Sequence, residues 1–208
     1  MKHIPLLLVL GFALSLCNLT KRLTDSSKSE GSKNATASSG STGAAAERPV
    51  PTAAQTAALA GGQSVNWDKQ GITLTLPAKW TKQTDETKSF VYSSPGFGAS
   101  LNISISTMAE DFPTDISINA FYDQAKTRSK NGEVDQLKWL EIDGLKGVEF
   151  RESNPEKPDG FRRLQWLAYR KYAGQVQMVN LMLATTGKDY PKYEDAMYGI
   201  LYSTKIVH

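Results

Sequence analysis

The sequence predicts an α+β domain in which an antiparallel sheet of about six to seven strands has helices packed on both faces, an α/β/α sandwich. The order of patterns along the chain is strands, helix, four antiparallel strands and a closing helix. The strongest single observation is a hairpin pattern over residues 161–186, which is apolar on both of its faces. Two helices and a doubly apolar hairpin favour a sheet that lies between helical layers.

The hairpin over residues 161–186 organises this prediction. With Ala173 and Gly174 as its turn residues, one face carries three successive apolar pairs. These pairs are Leu164 with Leu183, Trp166 with Leu181, and Ala168 with Val179. The opposite face is also largely apolar, whereas a hairpin with one wet face would alternate more clearly. We therefore expect both strands in the middle of a sheet that is covered on both sides.

Alternating residues predict three strands before the first helix, at residues 72–76, 89–93 and 101–106. Pro77 ends the first strand, and a turn over residues 94–98 separates the other two. In the third strand the apolar residues alternate with Asn102, Ser104 and Ser106. That polar face is a candidate contact surface.

Two helices are predicted from apolar residues at helical spacing. The first follows Pro113, and its apolar stripe falls at positions 118, 121, 122 and 125. We expect Asp115 or Ser117 to cap its start and Asn131-Gly132 to end it. The second helix is expected to begin with Asp189 as its cap.

A second hairpin is predicted to turn at Asp143-Gly144, a strong two-residue turn signal. Its register places opposite charges directly across the strands: Lys138 faces Glu149, and Glu141 faces Lys146. A polar loop over residues 153–160 leads from there to the long hairpin. This loop is a further candidate contact surface.

The opening strand and both hairpins resemble a known family. Residues 71–80 read Gly-Ile-x-Leu-x-Leu-Pro-x-x-Trp, which resembles the PsbP-like group of α/β/α sandwich domains. That group includes the extrinsic PsbP subunit of photosystem II and a Ran-binding nuclear transport factor. The Ile142-Asp143-Gly144 turn, residues 147–150, the late hairpin and the closing helix fit the same pattern, so the resemblance covers about residues 65–207. It implies the fold and an exported or lipid-anchored protein, and it assigns no functional residue.

The N-terminus resembles a bacterial lipoprotein signal. Residues 1–16 combine Lys2 with an apolar run over residues 6–16, which is shorter than the roughly 20 residues of a spanning helix. Leu14-Ser15-Leu16-Cys17 then matches the lipoprotein pattern except at Leu16, where Gly, Ala or Ser is usual. In that family the cysteine is lipidated and becomes the mature N-terminus. The alternatives are an ordinary export signal or an uncleaved anchor.

The sequence therefore predicts three segments. These are a signal peptide over residues 1–16, a lipidated Cys17 with a disordered Ser/Thr/Ala/Gly-rich tether over residues 17–64, and a PsbP-like globular domain over residues 65–208. The tether cannot bury enough apolar surface to offset its ordering entropy, and its expected reach is about 35–40 Å. The expected location is the bacterial cell envelope, on the periplasmic side or the surface, with lipid attachment to a membrane.

The composition argues against several kinds of chemistry. The histidines are His3 and His208, and a lipidated Cys17 has no free thiol, so we expect no catalytic triad, no zinc site and no cofactor. Residues 65–208 carry 18 basic and 18 acidic side chains, so the sequence does not predict nucleic-acid binding. It assigns no catalytic, cofactor-binding or metal-binding residue.

Three sets of residues in the globular domain have a functional and a structural interpretation. The carboxylates are candidates for a cation site or an acid/base pair, or else they solvate loops and turns: Glu110-Asp111, Asp115, Glu141 and Asp143. The basic pairs Arg162-Arg163 and Arg170-Lys171 either bind anions or protect strand ends. The aromatic residues either line a ligand cleft or pack in the core: Trp139, Trp166, Tyr169 and Tyr172. We favour the structural interpretation for all three sets.

We expect a non-catalytic, lipid-anchored envelope protein whose domain binds another protein or supports an assembly. The alternative is an exported module that binds a small ligand or a lipid between sheet and helix, and the third hypothesis is a hydrolase that uses carboxylates alone. A filled core with an exposed apolar patch favours the first hypothesis. An apolar cavity favours the second, and converging carboxylates favour the third.

Replacement of Cys17 tests the anchor. Radiolabelled palmitate should enter the wild-type chain and should not enter Cys17→Ala, because acylation needs the thiol. Each methylene buried in the bilayer then contributes roughly 0.8 kcal/mol to membrane attachment. Autoradiography of the purified protein measures the incorporation, and equal labelling of the two chains would contradict the prediction.

Overall fold

Two antiparallel sheets and three α-helices form the described part of the computed structural model, which covers residues 45–208. The strands are β1 (Gln63–Trp67), β2 (Ile72–Leu76), β3 (Thr81–Asp85), β4 (Ser89–Ser93), β5 (Ala99–Met108), β6 (Val134–Ile142), β7 (Leu145–Glu152), β8 (Phe161–Tyr172), β9 (Gln175–Thr186) and β10 (Lys205–Ile206). The helices are α1 (Ala53–Ala58), α2 (Thr114–Lys130) and α3 (Tyr190–Ser203). None of these helices is long and apolar enough to span a bilayer. Cys17 and the signal peptide lie outside the described residues, so the lipidation of Cys17 stays a prediction.

The predicted antiparallel sheet is confirmed, with seven strands in the order β3-β4-β5-β9-β8-β7-β6. β8 and β9 lie inside it and pair in the predicted register, with Trp166 opposite Leu181. Their turn is tight because Ala173 and Gly174 both have positive φ, 50° and 74°, as a two-residue type I′ hairpin requires. The Asp143-Gly144 hairpin joins β6 to β7, again in the predicted register.

One face of this sheet is covered by α3 and by a smaller sheet in the order β1-β2-β10. The strand predicted at residues 72–76 is β2, which lies in this separate layer between β1 and β10. α1 packs on α3 at Gly199, where a Cβ would lie 2.9 Å from the Gln55 carbonyl oxygen. The main core therefore lies between the large sheet and a mixed layer of helix and strands.

The opposite face is covered over only part of its width. α2 packs over β6, β7 and β8, where Ala125, Val148 and Leu167 form a second core with Trp139. Over β4, β5 and β9, most side chains on this face stay half-buried. Helices therefore pack on both faces, as predicted, but the second layer is incomplete.

The predicted capping side chains do not cap their helices. α2 begins without a side-chain cap hydrogen bond from Asp115 or Ser117, and Ser117 Oγ instead lies 2.8 Å from the Tyr169 hydroxyl. Asp189 does stand at the N-cap position of α3, yet its Oδ2 accepts a hydrogen bond from Thr186 Oγ1 at 2.8 Å. A hydroxyl from the neighbouring strand competes for the side chain in both places.

Contacts with the sheet begin earlier in the chain than residue 65, the expected start of the domain. Glu47 forms a parallel bridge to Leu140 on the edge strand β6. Its N–H donates to the Trp139 carbonyl at 2.9 Å, and its carbonyl accepts the Glu141 N–H at 2.8 Å. We call residues 46–49 the strap. It covers part of a sheet edge that would otherwise present unpaired backbone groups.

Arg170 joins the two sheets from inside the domain, with 4% of the residue exposed. Its Nη2 donates to Gln177 Oε1 and to Gln70 Oε1, both at 2.9 Å, and its Nη1 donates to the Val207 carbonyl at 2.8 Å. These partners come from β9, from the segment before β2 and from the residue after β10. Burial lowers the pKa of the guanidinium, and the surrounding acceptors replace the water that it loses.

Trp166 lies across β7 and reaches β6. Its indole Nε1 donates to the Leu140 carbonyl at 3.1 Å, and the β7 backbone passes under the ring at Gly147. A Cβ at Gly147 would lie 2.6 Å from two atoms of that ring and would also meet the Leu167 carbonyl oxygen. Only glycine fits there, which explains one residue of the family-like segment 147–150.

Gly147→Ala should lower the free energy of unfolding by about 3 kcal/mol, near the upper end of over-packing costs, because the Cβ meets both a buried ring and backbone. Gly132→Ala is the matched control, since nothing lies within 4 Å of a Cβ at that position. There only the strain of a positive φ remains, about 1 kcal/mol. Urea denaturation measures both losses, and a loss at Gly147 no larger than that at Gly132 would show that the close packing is not rigid.

Candidate functional site

The acidic residues before and at the start of α2 do not form a site. Glu110, Asp111 and Asp115 are exposed, in the loop that precedes the helix and in its first turn. Across residues 45–208, no group of three or more side chains is placed to hold a metal ion. These positions support the interpretation that the carboxylates solvate the loop.

Glu141 and Asp143 line one shallow cleft of 390 Å³. Each carboxylate is already bound, because Glu141 Oε1 lies 3.0 Å from Arg48 Nε and Asp143 Oδ2 accepts the Ile206 N–H at 2.9 Å. That amide hydrogen bond holds the pKa of Asp143 below its ordinary value. Neither carboxylate is therefore available as one half of an acid/base pair. The remaining walls are formed by Pro49, Ile142, Gly144, Tyr202, Thr204 and Lys205.

The arginines near the strand ends are paired within the domain. Arg162 is buried, forms an ion pair with Asp135 and stacks with its guanidinium 4.0 Å from the centre of the Tyr190 ring. Arg163 Nη1 lies 3.0 Å from Glu152 Oε2. Arg170 is hydrogen-bonded between the two sheets, as described with the fold. These side chains therefore do not present a free anion-binding patch.

The four aromatic candidates pack against neighbours in the domain. Trp139 stacks on Tyr122, with 4.8 Å between the ring centres. Tyr172 lies under the Arg170 guanidinium, 4.2 Å from ring centre to cation. Trp166 and Tyr169 make the hydrogen bonds described with the fold. The core-packing interpretation accounts for all four residues without a ligand.

A buried charge cluster lies between β6, β7 and α3, and the sequence pattern indicates only its Lys138–Glu149 pair. Glu149 is 0% exposed, and its Oε1 accepts a hydrogen bond from Gln136 Nε2 at 3.2 Å. Its Oε2 lies 3.9 Å from Lys138 Nζ and has no hydrogen-bond partner among the described residues. Tyr198 closes the cluster from α3, where its hydroxyl donates to Gln136 Oε1 at 2.7 Å.

Burial controls the protonation of Glu149. It raises the pKa of this carboxyl from the ordinary 4.5 to about 7, although the cations of Lys138 and Arg151 lower it in part. The strap takes part as well, because Glu47 Oε2 lies 3.2 Å from Lys138 Nζ and its charge raises the pKa of Glu149 further. The sequence predicted that Lys138 faces Glu149. It gave no sign that α3 covers this pair.

The part of the sheet that α2 leaves uncovered carries small polar, valine and methionine side chains. Register places Val91, Asn102 and Met182 in one row across β4, β5 and β9. Asn102 Oδ1 is buried there and has no hydrogen-bond partner within the described chain. We call this surface the open face. Its half-buried members are Ser89, Val91, Ser100, Asn102, Ser104, Asn180 and Met182.

The open face includes two of the three polar residues that the sequence proposed as a contact surface, Asn102 and Ser104. The third, Ser106, follows on β5 and is exposed. The sequence did not reveal that Val91 and Met182 stand beside them, because that requires the order of β4, β5 and β9 in the sheet. The alternation of polar and apolar residues in β5 located the polar part of the open face. The pairing of β4, β5 and β9 identified its other members.

Comparisons with known proteins show a likeness in fold. No family model matches the sequence, and no curated protein matches it. Among solved structures, the chain is similar to LpqN of Mycobacterium tuberculosis, which is described as involved in cell envelope biogenesis. The TM-score is 0.51 at 15% sequence identity, with 71% of this chain and 91% of LpqN covered. At this identity the likeness concerns the fold alone.

Two further solved structures share less of the geometry. Cyanobacterial PsbP (CyanoP) from Synechocystis sp. PCC 6803 has a TM-score of 0.46 at 14% identity, with 70% of this chain and 92% of that chain covered. The Ran-binding protein Mog1p of Saccharomyces cerevisiae has a TM-score of 0.42 at 11% identity, with 70% and 95% covered. We draw no conclusion about this chain from either score. The fold class that the sequence predicted, an antiparallel sheet of seven strands with helices on both faces, is confirmed.

Proposed function

We propose that residues 45–208 form a non-catalytic protein-binding module, and that a lipid on Cys17 holds this module at a membrane of the bacterial cell envelope. The observation that supports protein binding is the open face. The domain covers β6, β7 and β8 with α2 but leaves the same face of β4, β5 and β9 without a layer of its own. A partner can supply that layer.

The chemistry of the open face suits a protein surface. Met182 and Val91 offer apolar contact, and the flexible thioether adapts to different shapes. Asn102 Oδ1 is a buried acceptor without a partner among the described residues. A hydrogen bond from a partner's donor would therefore lower the free energy of the complex. The small side chain of Ser104 allows a close approach. A partner that presents an N–H or O–H donor beside an apolar side chain complements all of these groups.

The envelope location is proposed from the N-terminus. Residues 1–16 have the layout of an export signal, and Cys17 follows them in a lipoprotein-like pattern. The description of LpqN as involved in cell envelope biogenesis agrees with this location, although the likeness extends to the fold only. An anchored module of this kind would meet its partners at the membrane surface.

The catalytic and ligand-binding alternatives have less support. Glu149 has a pKa near 7, where acid/base catalysts operate, but it is 0% exposed under α3, so a substrate does not reach it in this conformation. The cleft beside the strap is lined largely by polar and charged side chains, which does not suit an apolar ligand. We therefore assign Glu149 a role in stability rather than in a reaction.

Ser104→Arg should abolish partner binding, because a long cationic side chain then stands on the open face. Ser129→Arg is the matched control on the exposed surface of α2 and should bind as the wild type does. Chemical cross-linking in intact cells, followed by mass spectrometry of the purified adducts, measures the binding. Both variants should keep the free energy of unfolding within about 0.5 kcal/mol of the wild type.

Two outcomes of this cross-linking experiment would count against the proposal. One is that Ser104→Arg retains the same adducts in the same amounts as Ser129→Arg. The other is that the wild-type chain gives no reproducible protein adduct at all. Either result would leave the open face without a binding role.

Glu149 should make the domain less stable as the pH rises. Its folded-state pKa of about 7 lies above the ordinary 4.5, so the folded chain binds more protons than the unfolded chain between these values. The stabilisation is complete below the lower value and is lost as the pH rises through the upper one. At 1.36 kcal/mol per pKa unit, the loss amounts to about 3 to 4 kcal/mol at most.

Glu149→Gln should remove this dependence, because the amide keeps the shape of the side chain and does not titrate. Urea denaturation at about pH 5 and about pH 7.5 measures it. The control Glu156→Gln lies in the exposed part of the loop over residues 153–160 and should keep the wild-type dependence. An unchanged difference between the two pH values in Glu149→Gln would place the titrating group elsewhere.

A further inference from the structure

Two exposed phenylalanines lie at the same end of the large sheet. Phe97 stands in the turn between β4 and β5, and Phe161 is the first residue of β8. Ala99 pairs with Thr185 on β9, and Thr185 pairs with Arg162 on β8. Neighbouring strands are about 4.8 Å apart, so the starts of β5 and β8 are separated by about 10 Å. We call this the aromatic end of the sheet.

Both rings are presented to solvent. Phe97 is 75% exposed and Phe161 is 64% exposed, so two large apolar side chains meet water at the same end of the sheet. Phe97 also has φ of 57°, a left-handed conformation that is uncommon for a bulky residue and that clusters at functional positions. The fold tolerates this strain although it leaves the ring in water.

The turn that carries Phe97 is firmly held. Ser94 Oγ accepts the Ala99 N–H at 2.8 Å, and Thr185 Oγ1 donates to the Gly98 carbonyl at 2.7 Å. These bonds fix both sides of the turn to β5 and β9. The ring of Phe97 is therefore displayed on a rigid support, as an insertion residue requires.

The surroundings of the two rings are typical of a surface that meets lipid headgroups. The Arg163 guanidinium lies 5.9 Å from the centre of the Phe161 ring, and Lys192 Nζ lies 5.0 Å from the centre of the Tyr193 ring. Two acidic groups at this end are paired with bases, Glu152 with Arg163 and Asp159 with Lys188. Apolar rings beside long cationic side chains suit the boundary between water and acyl chains.

The strap runs away from the aromatic end of the sheet. Glu47 pairs in parallel with β6, so the strap runs in the same direction as that strand. β6 starts at Val134, which pairs with Glu152, and Glu152 contacts Arg163 two residues from Phe161. The described chain therefore begins on the side of the Glu47 bridge that faces the aromatic end.

We propose that the aromatic end docks on the headgroup region of a lipid bilayer, with Phe97 and Phe161 inserted side by side. This inference rests on the proposed anchor at Cys17, which keeps the domain close to the bilayer. Docking fixes the orientation of the sheet relative to the membrane. The open face then stands beside the bilayer, where an envelope partner reaches it.

Cysteine accessibility tests the docking. In the full chain, Phe97→Cys and Phe161→Cys place a thiol at the aromatic end, and Ile116→Cys and Val207→Cys are matched controls at other exposed apolar positions, 73% and 60% exposed. A charged maleimide is applied to isolated membranes and to the same protein in detergent. We expect labelling at 97 and 161 to be at least about five-fold slower in membranes, because headgroup insertion withholds a thiol from water. The controls should react equally in both.

A second arm separates lipid from protein as the covering surface. The purified chain is mixed with protein-free vesicles of phosphatidylethanolamine and phosphatidylglycerol and labelled in the same way. Protection at 97 and 161 in these vesicles supports docking on lipid. Protection in native membranes that disappears in the vesicles shows that a protein covers the aromatic end and overturns the proposal, as does equal labelling in membranes and detergent.

The anchor is tested independently in the same experiment. A wild-type chain that reacts with the maleimide has a free thiol at Cys17, which would contradict lipidation of that residue. Protection in the vesicle arm is measured at positions 97 and 161 whether or not Cys17 is acylated. Failure of the anchor and failure of the docking surface therefore give different results.

Discussion

The Trp166 indole, which crosses Gly147 to bind the Leu140 carbonyl, is the contact on which the packed side of the domain depends. It fixes three neighbouring strands at one level, because the ring comes from β8, lies over β7 and donates to β6. Glu149 stands directly opposite Trp166 across β7 and β8. The Trp166 ring therefore fills the core and also lies beside the Glu149 carboxylate, and α3 covers both side chains. The apolar core and the charge cluster are one packing arrangement.

Short sequence patterns predicted the features that neighbouring residues determine, namely the turns and the pairing of the two hairpins. The turns at Asp143-Gly144 and Ala173-Gly174 set the registers of both hairpins, and alternation then assigned their faces. The features that the sequence did not reveal depend on distant partners: β10 pairs with β2, the strap reaches Leu140, and α3 buries Glu149. Capping by Ser117 failed for the same reason, because its hydroxyl contacts Tyr169, 52 residues away. At Asp189 the competing hydroxyl is local, because Thr186 lies only three residues before it.

The incomplete second layer follows from the dimensions of the elements. Seven strands at about 4.8 Å spacing span about 30 Å, whereas a helix with its side chains is about 10 Å wide. One helix can therefore cover about a third of a face. The sequence indicated a polar stretch at Asn102 and Ser104. The extent of the open face was not predictable, because it depends on which strands α2 packs against. Its apolar stripe alone does not specify that position.

The strap gives the domain a distinct mechanical response to tension on the chain from its N-terminal side. Within residues 45–208, tension reaches the strap first, where two backbone hydrogen bonds and ion pairs with Lys138 and Glu141 hold the chain to β6. These few contacts, together with the packing of α1 on α3, carry the load before β1 does. Their release frees the residues between Glu47 and Gln63, up to roughly 50 Å of extended chain, while both sheets stay intact. We therefore expect tension on the chain to extend the segment between Glu47 and Gln63 before either sheet unfolds.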